Sequence, residues 1–182
     1  MKKRLCVVFA ALMVVPSALL AQEKSPAQAG PPANPITASE KGFYSFVSGA
    51  VIGAAQKMPE ENYSFKPTPE VRSFGQIVGH VADASYMFCS QSLGEPNPSK
   101  GIEKTKTAKA DLVAALKESF AECDKAFDGT TDANVMEMTK GARPRSRIGT
   151  LVGNTTHDNE MYGAMAVYLR LKGIVPPSSE GR

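Results

Sequence analysis

The chain holds two histidines, His80 and His157, and each is followed three residues later by a carboxylate, Asp83 and Glu160. Residues three apart on a helix share a face, so each pair forms a His-x-x-acid unit presented in one direction. Two such units facing one another between helices suit a divalent cation. The imidazole nitrogens would be ligands, and the carboxylates would be further ligands or partners that orient the rings. With a metal in place, Asp83 or Glu160 is also a candidate acceptor for the proton of an activated nucleophile. The alternative needs no metal, since each imidazole can be hydrogen-bonded inside a helical core. Spacing is compatible with both.

The elements that must position these residues are helices. Phe74, Ile77, Val78, Val81, Ala84 and Phe88 recur at three and four, which predicts a helix over 74–93 with Ser73 as N-cap, Gly94 as stop and His80 on its inner side. His157 lies in a run of seven polar residues, Asn154 to Glu160, within a segment that otherwise makes core: Ile148, Leu151, Val152, Tyr162, Met165, Tyr168 and Leu169. Asn and Thr are indifferent helix formers, so a break there is one expectation. The other is an uninterrupted helix from a Ser146 cap to near Gly173, which keeps the apolar seam in register and turns the polar residues toward the bundle interior or its mouth. Two more helices are predicted. One runs from Thr37, in capping-box register with Glu40, to near Met58; the other occupies 108–128, with Leu112, Leu116, Phe120, Cys123 and Phe127 as its stripe. No apolar and polar residues alternate over a Val- or Ile-rich run, so no strand competes. The fold class expected is all-α, a four-helix bundle around one core.

A chain of 182 residues has one domain as its prior. Lys2, Lys3 and Arg4 precede an apolar run from Leu5 to Val15, then Pro16, Ser17 and the small-residue exit ending at Ala21, the pattern of a secretory signal. The expected organisation is a signal peptide over 1–21, a flexible polar leader over 22–36 and a bundle domain over 37–178. The mature protein would be periplasmic or secreted, with no stable membrane anchor. The signal takes three of the 21 basic residues and none of the 18 acidic ones, leaving equal numbers of each. A balanced surface lacks the basic excess that phosphate backbones require, so nucleic acid is not an expected partner. A small-molecule substrate or ligand is expected, its identity open, and a homodimer is compatible with the sequence. Export supplies an oxidant for Cys89 and Cys123, which are expected to pair; two separate buried thiols are the alternative. No Gly-x-Ser-x-Gly elbow and no phosphate-cradling glycine loop is present.

Two segments, SFGQIVGHVADASYMFC from Ser73 and THDNEMYGAMAVYLRLKGIVPP from Thr156, resemble the signature regions of DinB-like (DinB/YfiT) proteins. The resemblance implies a four-helix bundle holding a divalent metal of zinc, nickel or manganese type through three histidines, one on the second helix and two four apart on the last. His80 matches the first position and His157 the second. The third falls at residue 161, where this chain has Met followed by Tyr162 and Gly163. A thioether is a soft ligand suited to Cu(I) and does not replace imidazole for those ions, so Met161 predicts weak or absent occupancy. Two functions follow. One is an exported metal-dependent hydrolase or thiol-dependent transferase, with Asp83 or Glu160 taking the nucleophile's proton. The other is a non-catalytic bundle with a degenerate metal site that binds a small ligand or partner.

Overall fold

A computed structural model describes residues 32–141 and 143–181. The expected signal segment and residues 22–31 of the expected leader lie outside them. Four long helices carry the domain: α1 (Pro35–Lys57), α2 (Phe74–Leu93), α4 (Lys109–Asp128) and α5 (Arg147–Leu171), with a short α3 (Ile102–Thr105) between α2 and α4. The fold is all-α. Among the described residues the only β pairing is an isolated bridge between Met138 and Ser146. No described helix is long and apolar enough to cross a membrane.

α1 packs on α4 and α5, and α2 packs on the same two, so the order around the bundle is α1, α4, α2, α5. The two histidine-bearing helices are therefore neighbours. Val78 and Val81 from α2, Leu112 and Leu116 from α4, and Leu151, Met165 and Leu169 from α5 have no exposed surface. Each such side chain contributes about 1.5–3 kcal/mol through burial. Tyr44 of α1 crosses the centre, stacked on Phe127 with ring centroids 4.6 Å apart, and donates its hydroxyl to the Phe120 carbonyl at 2.9 Å.

α2 runs between its expected limits because both ends are specified locally. Ser73 and Gln76 form a reciprocal capping box, and Gly94 takes φ 75° to close the last turn. α5 is uninterrupted through the polar run. Thr155 and Thr156 return their hydroxyls to the carbonyls of Leu151 and Val152, at 3.2 and 2.8 Å, so the threonines are satisfied within the helix. α1 departs from expectation at its start. It begins at Pro35, within the expected leader, and Thr37 is not its cap. The Thr37 amide and hydroxyl both donate to Asp132 Oδ1 at 3.0 Å, and the Ile36 amide donates to Asp132 Oδ2 at 3.0 Å. α3 was not expected at all; it sits in what reads as a polar loop. Cys89 and Cys123 form a disulfide between α2 and α4, with Cα atoms 4.9 Å apart.

Candidate functional site

His80 projects from α2 and His157 from α5, and their Nε2 atoms stand 3.1 Å apart. Their side chains keep 27% and 20% of their exposure, so the pair is reachable from solvent. Behind each ring is a carboxylate. His80 Nδ1 lies 3.1 Å from Glu103 Oε2, and the other oxygen of Glu103 accepts from Arg72 Nε at 2.9 Å. His157 Nδ1 lies 3.4 Å from Asp158 Oδ1, and Asp158 Oδ2 accepts from Asn154 Nδ2 at 2.9 Å.

A neutral imidazole carries one N–H. With Nδ1–H of each ring donated to its carboxylate, both Nε2 lone pairs face one another at 3.1 Å. Two lone pairs at that distance repel unless a positive charge lies between them, either a proton or a metal cation. The separation fits either: 3.1 Å is an ordinary N–H···N distance and is also close to the spacing of two ligands on one ion. Neighbouring ligand atoms on a tetrahedral ion with bonds of about 2.0–2.1 Å stand about 3.3 Å apart. Burial holds the His80 pKa below its ordinary value, helped by Arg72 and His157 and opposed by Glu103. Burial pushes the Asp158 carboxyl up, against the lowering effect of His157 and Asn154.

The acids expected beside the rings are placed differently. Asp83 accepts from the Ser99 hydroxyl, from the Ile102 amide at 2.7 Å and from the Glu103 amide at 2.9 Å. Both of its oxygens are thereby committed to docking α3 on α2, and what α3 brings is Glu103. Glu160 is exposed and makes no hydrogen bond or ion pair among the described residues. Met161, one turn beyond His157, is half-buried and packs against the hydrophobic core. Among the described residues no group of three or more His, Cys, Asp and Glu side chains is arranged to hold a metal. The donors present are a pair of oriented imidazoles, with a thioether at the next position on α5.

Sequence spacing missed Glu103, Arg72, Asp158 and Asn154. For the last two a signal existed. Leu151, Asn154, Asp158 and Tyr162 are spaced three, four and four apart, so Asn154 and Asp158 occupy core positions of the seam, and both have no exposed surface. Glu103 carried no signal, being 23 residues from His80 in an apparent loop.

The family model of the DinB superfamily matches residues 47–164. The chain belongs to the DinB superfamily. His80, His157 and Met161 all fall inside the matched segment, and DinB proteins are generally metal-associated. No curated protein sequence matches the chain. A DinB-like protein from Bacillus cereus ATCC 10987, known from its crystal structure, is similar at a TM-score of 0.67 and 15% identity, over 77% of this chain and 95% of that one. At that identity the likeness concerns the DinB fold alone.

Proposed function

We propose that this is an exported, periplasmic or secreted DinB protein whose His80–His157 pair holds a divalent cation of zinc, nickel or manganese type with low affinity, in the service of a hydrolase or thiol-transferase activity. The observation that carries the reading is the pair of Nε2 atoms 3.1 Å apart, each ring backed through Nδ1 by a carboxylate. Such backing fixes the tautomer and raises the basicity of a ligating imidazole. A metal held there supplies Lewis acidity and acidifies a nucleophile. This chain's part is to aim both rings: Arg72 and Glu103 hold one, Asn154 and Asp158 the other.

A second reading is a non-catalytic bundle that binds a small ligand in the same cleft. Two observations favour it: the thioether at position 161, and the commitment of Asp83 to α3, which removes it as a proton acceptor. Metal analysis and calorimetric zinc titration of the native protein, Met161→His and His80→Ala separate the cases. The expected result is substoichiometric metal in the native protein, at least tenfold tighter zinc binding in Met161→His, and none in His80→Ala. Tight stoichiometric zinc or nickel in the native protein would refute the weak site. If Met161→His gains nothing, the cleft is a hydrogen-bonded histidine pair and the non-catalytic reading stands.

A further inference from the structure

A pocket of about 630 Å³ is walled by the last turns of α2 and by the segment leading into α5. Its size is that of small-molecule sites, about 300–1,000 Å³. Met87 and Phe88 supply an apolar wall, and Lys140, Arg143 and Arg145 supply three positive charges against one acid, Glu95. None of those three cationic side chains has a hydrogen bond or ion pair among the described residues. Arg147, two residues further on, does: it pairs with Glu137 at 3.4 Å and donates to the Gly129 carbonyl at 3.3 Å.

The cationic segment is held in place. Gln91 of α2 donates its side-chain amide to Thr139 Oγ1 and to the Arg143 carbonyl, both at 3.1 Å, and the Thr139 amide donates to the Arg145 carbonyl at 2.7 Å. Gly141 makes the turn at φ 126°, a conformation that other residues rarely adopt. Phe88, one of its lining residues, approaches the histidines. The Phe88 ring centroid is 6.2 Å from that of His157. A methyl group at Gly153 would lie 3.1 Å from Arg145 Nη1 and 3.3 Å from Phe88 Cε1. Gly153 precedes His157 by one helical turn, about 6 Å along α5 at roughly 1.5 Å per residue. The Arg145 guanidinium and the His157 ring therefore both lie near Phe88.

We infer that this pocket binds a small organic anion, with its charged end on Arg143 and Arg145, its apolar body against Met87 and Phe88, and its far end turned toward the His80–His157 pair. Guanidinium groups take carboxylate and phosphate oxygens as charge-assisted, often bidentate partners, and a wall of low dielectric strengthens the attraction. The inference rests on the proposed function only for what the far end meets; the anion site stands on the pocket alone.

Amide NMR titration of the whole protein tests it, with phenylphosphonate and phenylacetate as anionic probes and benzyl alcohol as their neutral match, in EDTA and then with zinc. Saturable shifts of residues 87–97 and 139–145 by either anion, at least tenfold tighter than for benzyl alcohol, support the site. The exposed pair Arg143→Gln with Arg145→Gln should weaken anion binding at least tenfold and leave benzyl alcohol and zinc binding unchanged. His80→Ala should abolish zinc binding and leave anion binding in EDTA intact, so failure of the metal reading is distinguishable from failure of this one. Equal affinity for anions and alcohol, an absence of saturable shifts, or an unchanged double variant would each overturn the inference.

Discussion

A methyl group at position 79 would sit 2.7 Å from Glu103 Cα and 2.9 Å from Glu103 N, inside contact distance of backbone that cannot swing aside. Gly79 lets α3 lie against α2, and Asp83, one turn later, fastens it there through the amides of Ile102 and Glu103. Gly79→Ala should therefore displace α3 and draw Glu103 away from His80. We expect a loss of about 1–3 kcal/mol from overpacking, despite the roughly 1 kcal/mol by which Ala favours a helix over Gly. Glu103→Gln tests the carboxylate while leaving the backbone contact. Both variants, and Met161→His carrying either change, should bind zinc about tenfold more weakly than their parents, the usual scale for losing a partner behind a ligand. Urea denaturation and calorimetry give the two readouts. Unchanged zinc affinity in both would mean that Glu103 does not orient His80. The same residues show why the site was only partly legible. Helical spacing brought out the two rings and set Asp83 and Glu160 beside them, but an i+3 rule reports a shared face and not a contact, and neither acid hydrogen-bonds a ring. Asp83 shares a face with His80 and spends its oxygens on another segment. The acid that reaches the ring arrives by tertiary docking, made feasible by the absence of a side chain at Gly79.

Among the elements, α1 shows how a distant residue can replace a local signal. Its first turn is capped by Asp132, from the connection between α4 and α5, and the Asp132 amide in turn donates to Asn34 Oδ1 at 3.0 Å. Burial opposes ionisation of Asp132, and the hydrogen bonds from Thr37 and Ile36 outweigh it, so its carboxyl is held below the ordinary range. A lowered native pKa means that the contribution to stability is complete above the unfolded value of about 3.9 and is lost as pH falls through the native one. Asp132→Ala should lower Tm by a few degrees at neutral pH, and the gap from the parent should close in acid; a gap that persists at low pH would show that the carboxylate charge is not what holds α1. α2, α4 and the core seam of α5 could be read from residue types because apolar periodicity is strong in each, with side-chain caps at the starts of α2 and α5. The α1 start could not, because Asp132 is 95 residues from Thr37. α3 could not either, since a helix of four residues has no period to detect and exists here because Asp83 caps its amides.

For the molecule as a whole, the Cys89–Cys123 bridge joins α2 to α4 across a separation of 34 residues. These helices already share a packed interface, so the bridge adds little to the folded state and acts on the unfolded chain by removing conformations. For a loop of that length the chain-entropy model gives about 3–4 kcal/mol. In a domain of this size that corresponds to a Tm difference of roughly 10 °C. The bridge does not span α2 and α5, whose register sets the distance between His80 and His157. Cys89→Ser with Cys123→Ser should therefore lower Tm by roughly 10 °C and leave zinc affinity in the Met161→His background unchanged. Scanning calorimetry and zinc titration of the same two proteins check both halves. A fall in zinc affinity would show that the α2–α4 clamp also sets the α2–α5 spacing, whereas an unchanged Tm would show that the unfolded chain is not restricted by the bridge. The proposed export would place the bridge in an oxidising compartment that keeps it formed, and thiol titration of the denatured, unreduced protein should find no free sulfhydryl at Cys89 or Cys123.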